Sequence, residues 1–174
     1  MKHLKQNAMM LIVGRGFKGV KDSTLKQIVK IYKGYLGNSL FSMVLFGSHA
    51  RGDAKRTSDY DLFIIADGLP LKPFQRKLFI RKPLQGQFEE RLCIIAKTRE
   101  EMLNNFPSLF LDIGLDGIIL FDKEEFFKHL QIKIKEIIHQ AGLKRKRRNG
   151  EFSWEWKNPP QKGWEITWEG YREL

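Results

Sequence analysis

Apolar residues recur at helical spacing from the first well-patterned segment. Leu25, Ile28, Val29, Tyr32 and Leu36 share one face, Asp22 or Ser23 is placed to cap that helix, and Gly37-Asn38 stops it. The period then changes. Leu40 to Phe46 reads as a short buried strand, and Gly47-Ser48 ends it and opens a short helix through about Asp53. A second strand is expected over Asp59 to Ala66, with Asp67-Gly68 turning the chain. Leu69 to Lys82 predicts a helix whose start is confined by Pro70 and Pro73, and Leu92 to Ala96 predicts a third strand. Thr98 caps a further helix through Met102 and Leu103, with Glu101 at the capping-box position. Ile118 to Phe121 predicts a fourth, edge strand. Glu124 to Gln140 is amphipathic, with Phe126, Phe127, Leu130, Ile134, Ile137 and Ile138 on one side.

At Gly142 the pattern breaks. Lys144 to Arg148 is wholly basic, and beyond it lie all four tryptophans, Trp154, Trp156, Trp164 and Trp168, in two extended pieces divided by Pro159-Pro160 and Gly163. The organisation is therefore an N-terminal arm (1–22), an α/β core (23–142) of about 120 residues, a usual size for one domain, and a basic, Trp-rich C-terminal extension (143–174). The arm carries an apolar stretch, Met9 to Val13, and the glycine-studded VGRGFKGV, which lacks the spacing of a phosphate loop.

Composition changes this picture in two ways. No apolar run approaches the length of a membrane span, no signal peptide is recognisable, and the single cysteine, Cys93, excludes an intrachain disulfide; a cytoplasmic protein is expected. The formal charge of +11 makes polyanions natural partners, among them nucleotides, RNA and DNA, although lysine-rich solvated faces account for charge of this kind equally well.

Residues 44–65, VLFGSHARGDAKRTSDYDLFII, hold the candidate chemistry. Gly47 allows a sharp turn and close approach of a phosphate to the backbone. Ser48 stands at a helix N-terminus, where unpaired N–H groups favour an anion, and Arg51, one turn on, can fork onto phosphate oxygens. Asp59 and Asp61 are two apart on a strand, so both carboxylates point to one sheet face. Converging carboxylates repel unless a cation lies between them. Mg²⁺, a hard ion that takes few protein carboxylates plus water and phosphate oxygens, is the natural occupant. A phosphate cradle beside such a metal pair is what in-line nucleotidyl transfer requires.

The pattern G-S-x10-D-x-D, with Ala-Arg-Gly at 50–52 and Ser58 before the first aspartate, resembles the DNA polymerase β-like nucleotidyltransferase superfamily, in its minimal branch. The resemblance implies an α/β fold with a small mixed sheet flanked by helices. It implies a Mg²⁺-dependent enzyme that transfers a nucleoside monophosphate from a triphosphate, ATP or another, to an acceptor. Gly47 and Ser48 would hold the triphosphate, and Asp59 and Asp61 would bind the metals and carry catalysis. Minimal members often pair with a small helical protein, which the resemblance makes a possible partner here.

One position departs from the pattern. The superfamily usually presents a third carboxylate on the next strand, and here the simplest alignment puts Cys93 there. A buried thiol is a poor Mg²⁺ ligand and a poor base at neutral pH, so a catalytically silent nucleotide-binding module is the first rival reading. Glu89 or Glu90 could substitute if the strand starts earlier. His49 is read as incidental. The tail supports a second rival, a nucleic-acid-binding protein whose basic run contacts phosphates while the tryptophans stack on bases. Against it, Trp154/Trp156 and Trp164/Trp168 keep the even spacing of one-sided strands, which favours hairpins packed on the core.

Overall fold

The computed structural model describes residues 22–88, 91–148, 151–161 and 163–174. The N-terminal arm, apart from Asp22 as the first helical residue, and the alternative carboxylates Glu89 and Glu90 lie outside the described residues.

Four strands form one sheet in the order β3-β2-β1-β4, from β1 (Leu40–Phe46), β2 (Tyr60–Ala66), β3 (Leu92–Lys97) and β4 (Ile118–Asp122). β1 runs antiparallel to both β2 and β4, whereas β2 and β3 are parallel, so the sheet is mixed. The two central strands are buried on both faces, which is why Leu40–Phe46 and Tyr60–Ala66 are near-continuous apolar runs rather than alternating ones. Tyr60, Leu62 and Ile64 face one cluster with Leu25, Ile28 and Tyr32 of α1 (Asp22–Leu36) and Ile80 of α3 (Pro73–Arg81). Phe63 and Ile65 face the other, against α4 (Arg99–Asn104), α5 (Leu109–Asp116) and α6 (Phe126–Gln140).

Several boundaries differ from the sequence expectation for local physical reasons. Pro73 sits in the first turn of α3 and Lys72 is extended, so that helix starts at Pro73 rather than Leu69. α6 starts at Phe126, not Glu124, because Glu124 and Glu125 turn through the left-handed region, with φ of 56° and 55°. Asp122 caps the helix from four residues upstream, accepting hydrogen bonds from the N–H groups of Phe127 (2.9 Å) and Lys128 (3.0 Å) and from Ser42 Oγ (2.5 Å). α5 falls where the pattern assigned no element. Its Gly114 lies against Ile134 of α6 so closely that a Cβ there would come within 2.3 Å of Ile134 Cγ2. The capping box of α4 forms as expected, between Thr98 and Glu101.

The C-terminal chain is two antiparallel hairpins, β5 (Leu143–Arg148) with β6 (Glu151–Trp156), and β7 (Trp164–Thr167) with β8 (Gly170–Glu173). Leu143 is buried, and Trp154, Trp156, Trp168 and Tyr171 pack on the α5–α6 side of the core. Trp168 lies 4.9 Å from the ring of Phe106 and 5.8 Å from that of Phe110, and its Nε1 donates to the carbonyls of Met102 and Asn105. The basic run forms a strand, and most of its charge is paired internally. Arg145 meets Asp112 and Asp116, Arg147 meets Asp53, and both Lys146 and Arg148 meet Glu155. No helix among the described residues is long and apolar enough to cross a membrane.

Candidate functional site

The site forms where β1 ends beside the start of β2. Antiparallel pairing sets Phe46 opposite Asp61, and parallel pairing sets Asp61 opposite Cys93. Immediately after Phe46 the chain turns at Gly47, φ +69°, into α2 (Gly47–Arg51). The backbone of Gly47 lies directly on the Asp61 carboxylate: a Cβ there would sit 2.0 Å from Asp61 Oδ2. Glycine is therefore required twice over, by the left-handed turn and by the neighbouring carboxylate. Gly52, φ 80°, closes the helix, with the N–H groups of Gly52 (3.0 Å) and Asp53 (3.1 Å) donating to the Ser48 carbonyl.

His49 has a packing role. Its ring stacks on Tyr60 at 3.9 Å and 10°, and its Nε2 lies 3.3 Å from the Ser58 carbonyl, tying α2 to the loop that delivers Asp59. Ser58 in turn accepts from Lys55 N–H at 2.9 Å, closing that loop. Asp59 precedes β2 by one residue, and Arg91 Nε approaches its Oδ1 to 2.8 Å. The approach is off the hydrogen-bonding direction, so Oδ1 remains buried without a hydrogen-bond partner.

Burial pushes the Asp61 carboxyl above its ordinary pKa, the Asp59 charge adds to this, and a hydrogen bond with the Cys93 thiol together with His49 and Arg51 opposes it. Cys93 shares the sheet face of Asp61 but is exposed on the edge strand, which corrects the expectation of a buried thiol. Its pKa is also raised, first by local desolvation and then by the two aspartate charges, so it remains a thiol at neutral pH and a poor base. Among the described residues no group of three or more histidine, cysteine, aspartate or glutamate side chains is poised for a metal. A cation here would rest on two carboxylates. That suits Mg²⁺, which binds through one or two carboxylates plus phosphate oxygens, and Asp59 Oδ1, ion-paired with Arg91 but without a hydrogen bond, is an oxygen of the right kind for it.

The structure thus brings Gly47, Asp61 and Cys93 into contact, with Ser48 and Asp59 on the elements beside them. Arg51, expected to fork onto phosphate, is held by its neighbours. Its Nε lies 3.3 Å from Asp53 Oδ1, and its guanidinium covers the Phe152 ring at 4.6 Å. Arg91, Asp53, Phe152 and Arg147 were invisible to motif reasoning. Arg91 and Asp53 flank recognisable elements, but the β5–β6 residues reach the site only through tertiary packing.

A strand, Gly-Ser turn and short helix set against Asp-x-Asp on the adjacent strand of a small mixed sheet define a nucleotidyltransferase. The chain belongs to the family described as the nucleotidyltransferase domain, whose profile matches residues 25–152, and it is accordingly a transferase. It is similar to a candidate protein adenylyltransferase of Methanocaldococcus jannaschii, with 31% identity over 122 residues, 67% of this chain and 82% of the relative. Among solved structures it resembles a toxin–antitoxin with AMP-PNP, with a TM-score of 0.50 and 18% identity over 66% of this chain and 86% of the other. It is also similar to a chain of the tri-AMPylated HEPN toxin in complex with MNT antitoxin from Shewanella oneidensis (TM-score 0.48, 15% identity, 69% and 87% coverage). At these identities the structural likeness is one of fold.

Proposed function

We propose that this protein is a cytoplasmic, Mg²⁺-dependent nucleotidyltransferase that moves the nucleoside monophosphate of ATP onto a hydroxyl of a protein acceptor. The observation that carries the reading is where poorly satisfied charge lies. Among the described residues, the buried side-chain atoms without a hydrogen bond are Arg51 Nε, Asp53 Oδ1 and Asp59 Oδ1, each held only by an ion pair, and all three lie around α2 and the start of β2. Charged atoms short of hydrogen bonds and concentrated in one place are what a site built for a charged ligand shows.

In this reading Gly47 and Ser48 hold the triphosphate through backbone N–H groups and the serine hydroxyl, with Arg51 supplying charge. Asp59 and Asp61 would hold the cation, which neutralises charge developing on the transferred phosphoryl. The acceptor oxygen bonds to the α-phosphorus as its hydroxyl proton is released to water, the bond to the leaving oxygen breaks, and pyrophosphate departs. A protein acceptor is supported by the name of the archaeal relative and by the surface beside Asp59. There a cleft of about 700 Å³ is lined by Leu78, Arg81, Leu84, Phe88 and Arg91, with Asp59 at its edge. Leu71, Phe74 and Leu78, at 88%, 71% and 54% exposure, extend it as an apolar stripe along and just before α3. A small helical partner protein, which the family resemblance implies, is a natural occupant of such a stripe.

Cys93 supports a second reading, a module that binds nucleotide without transferring it, since no carboxylate faces Asp61 from β3. Calorimetry separates binding from its absence. ATP should bind only with Mg²⁺, and Asp59→Asn with Asp61→Asn should abolish the metal dependence; unchanged Mg²⁺-ATP affinity in the double variant sinks the site. Mass spectrometry of an acceptor protein then separates the two readings, because transfer adds one nucleoside monophosphate and a silent module adds nothing.

A further inference from the structure

The β5–β6 hairpin enters the candidate site from a distant part of the chain. Phe152 has the guanidinium carbons of Arg51 at 4.6 Å, Arg145 at 4.5 Å and Arg147 at 5.3 Å from its ring centre. Arg145 is committed to Asp112 and Asp116. The other two arginines share one carboxylate: Asp53 Oδ1 lies 3.3 Å from Arg51 Nε, and Asp53 Oδ2 lies 3.3 Å from Arg147 Nη1. That sharing is poor, because Arg51 Nε and Asp53 Oδ1 are both buried without a hydrogen bond. Two positive charges held by one negative, at the end of the helix that carries Gly47 and Ser48, leave a surplus positive charge beside the proposed triphosphate site.

We propose that Arg147 and Arg51, gathered on Phe152, form a paired-guanidinium clamp for the outer phosphates of the nucleoside triphosphate. The inference rests on the nucleotide-binding reading above. Asp53 holds the pair while the site awaits nucleotide, and phosphate oxygens replace it, since guanidinium forks onto phosphate are charge-assisted and bidentate. Phe152 sets the spacing of the pair by cation–π contact. The hairpin is mounted firmly enough for this, with Leu143 buried and Trp154 and Trp156 packed on the core. The Arg147 side chain itself is 54% exposed and so reachable by a ligand.

The test is calorimetry on the full chain with Mg²⁺, using ATP, AMP and inorganic tripolyphosphate as probes. Arg147→Ala should weaken ATP and tripolyphosphate about tenfold, the scale of one charge-assisted contact, and leave AMP unchanged. Arg147→Lys should recover part of the loss, and Phe152→Leu, which keeps apolar bulk, should reproduce most of it. The Tm of Arg147→Ala should stay close to wild type because the side chain is exposed. Equal weakening of ATP and AMP, or undiminished tripolyphosphate binding in either folded variant, overturns the clamp alone. Wild-type protein that binds none of the three probes overturns the nucleotide reading and the clamp with it.

Discussion

Gly47 and Asp61 show how closely single residues are coupled in this protein. A methyl group at Gly47 would both strain a backbone at φ +69° and collide with Asp61 Oδ2. The backbone term alone costs about 1–2 kcal/mol for a non-glycine residue. Gly47→Ala is therefore expected to lower the Tm by several degrees and weaken Mg²⁺-ATP at least tenfold, as scanning calorimetry and titration would show; near-normal affinity would mean that Gly47 does not shape the site. At Cys93 the expectation has the opposite sign. The residue stands beside Asp61 on an exposed edge strand, so a carboxylate there would meet water rather than a dry core. Cys93→Asp should raise transfer, a general base typically contributing on the order of 10²–10⁴ in rate, while nucleotide affinity stays within a few fold. Mg²⁺ should raise the melting temperature of this variant more than that of wild type. A variant as slow as wild type, with no added response to Mg²⁺, would remove Cys93 from the catalytic position.

Among the elements, the C-terminal hairpins are structural parts of the core. Trp168 fills the space between Phe106 and Phe110 and donates to two carbonyls at the end of α4. Trp168→Ala removes that packing and leaves the carbonyls unmet, an expected loss of about 3 kcal/mol, or roughly 10 °C in Tm for a chain of this length. Denaturant melts of the two proteins check this; an unchanged midpoint would mean that the β7–β8 hairpin is only loosely attached. The same packing explains why the basic run is a poor model of a nucleic-acid arm. In β5 alternate residues face opposite ways, so Arg145 and Arg147 meet aspartates of the core while Lys146 and Arg148 meet Glu155.

At the scale of the whole molecule, the helices divide the labour between the two sheet faces. α5 and α6 with the hairpins cover the face of Asp61, while α1 and α3 cover the other and leave the apolar stripe of Leu71, Phe74 and Leu78 in solvent. Exposed apolar stripes rimmed by charge mark interaction surfaces. If the stripe docks the proposed protein acceptor, Phe74→Glu should abolish its modification while leaving Mg²⁺-ATP affinity and melting unchanged. Full modification by that variant would place the acceptor elsewhere.

What the sequence by itself determined was local. Gly47-Ser48 and the Asp-x-Asp pair at fixed separation required a turn, a short helix and a strand end to meet, while the expected place of Cys93 came from the family resemblance and its register with Asp61 from strand pairing. The central strands and the capping box of α4 were legible because each depends on residues within a few positions of one another. Tertiary structure decided the rest, because the forces involved act between residues far apart in the chain. α5 is short and carries Gly114, a poor helix former, where α6 packs closely, so its existence rests on tertiary contact with Ile134 as well as on its buried face of Phe110, Leu111 and Ile113. The start of α6 shifted to Phe126 because Asp122 and Ser42 join there across the sheet. The charge run at 144–148 finds its partners, Asp53, Asp112, Asp116 and Glu155, only through packing. Arg51 meets Asp53 locally, but the Phe152 ring beneath its guanidinium comes from a hairpin that no local pattern could have brought to it.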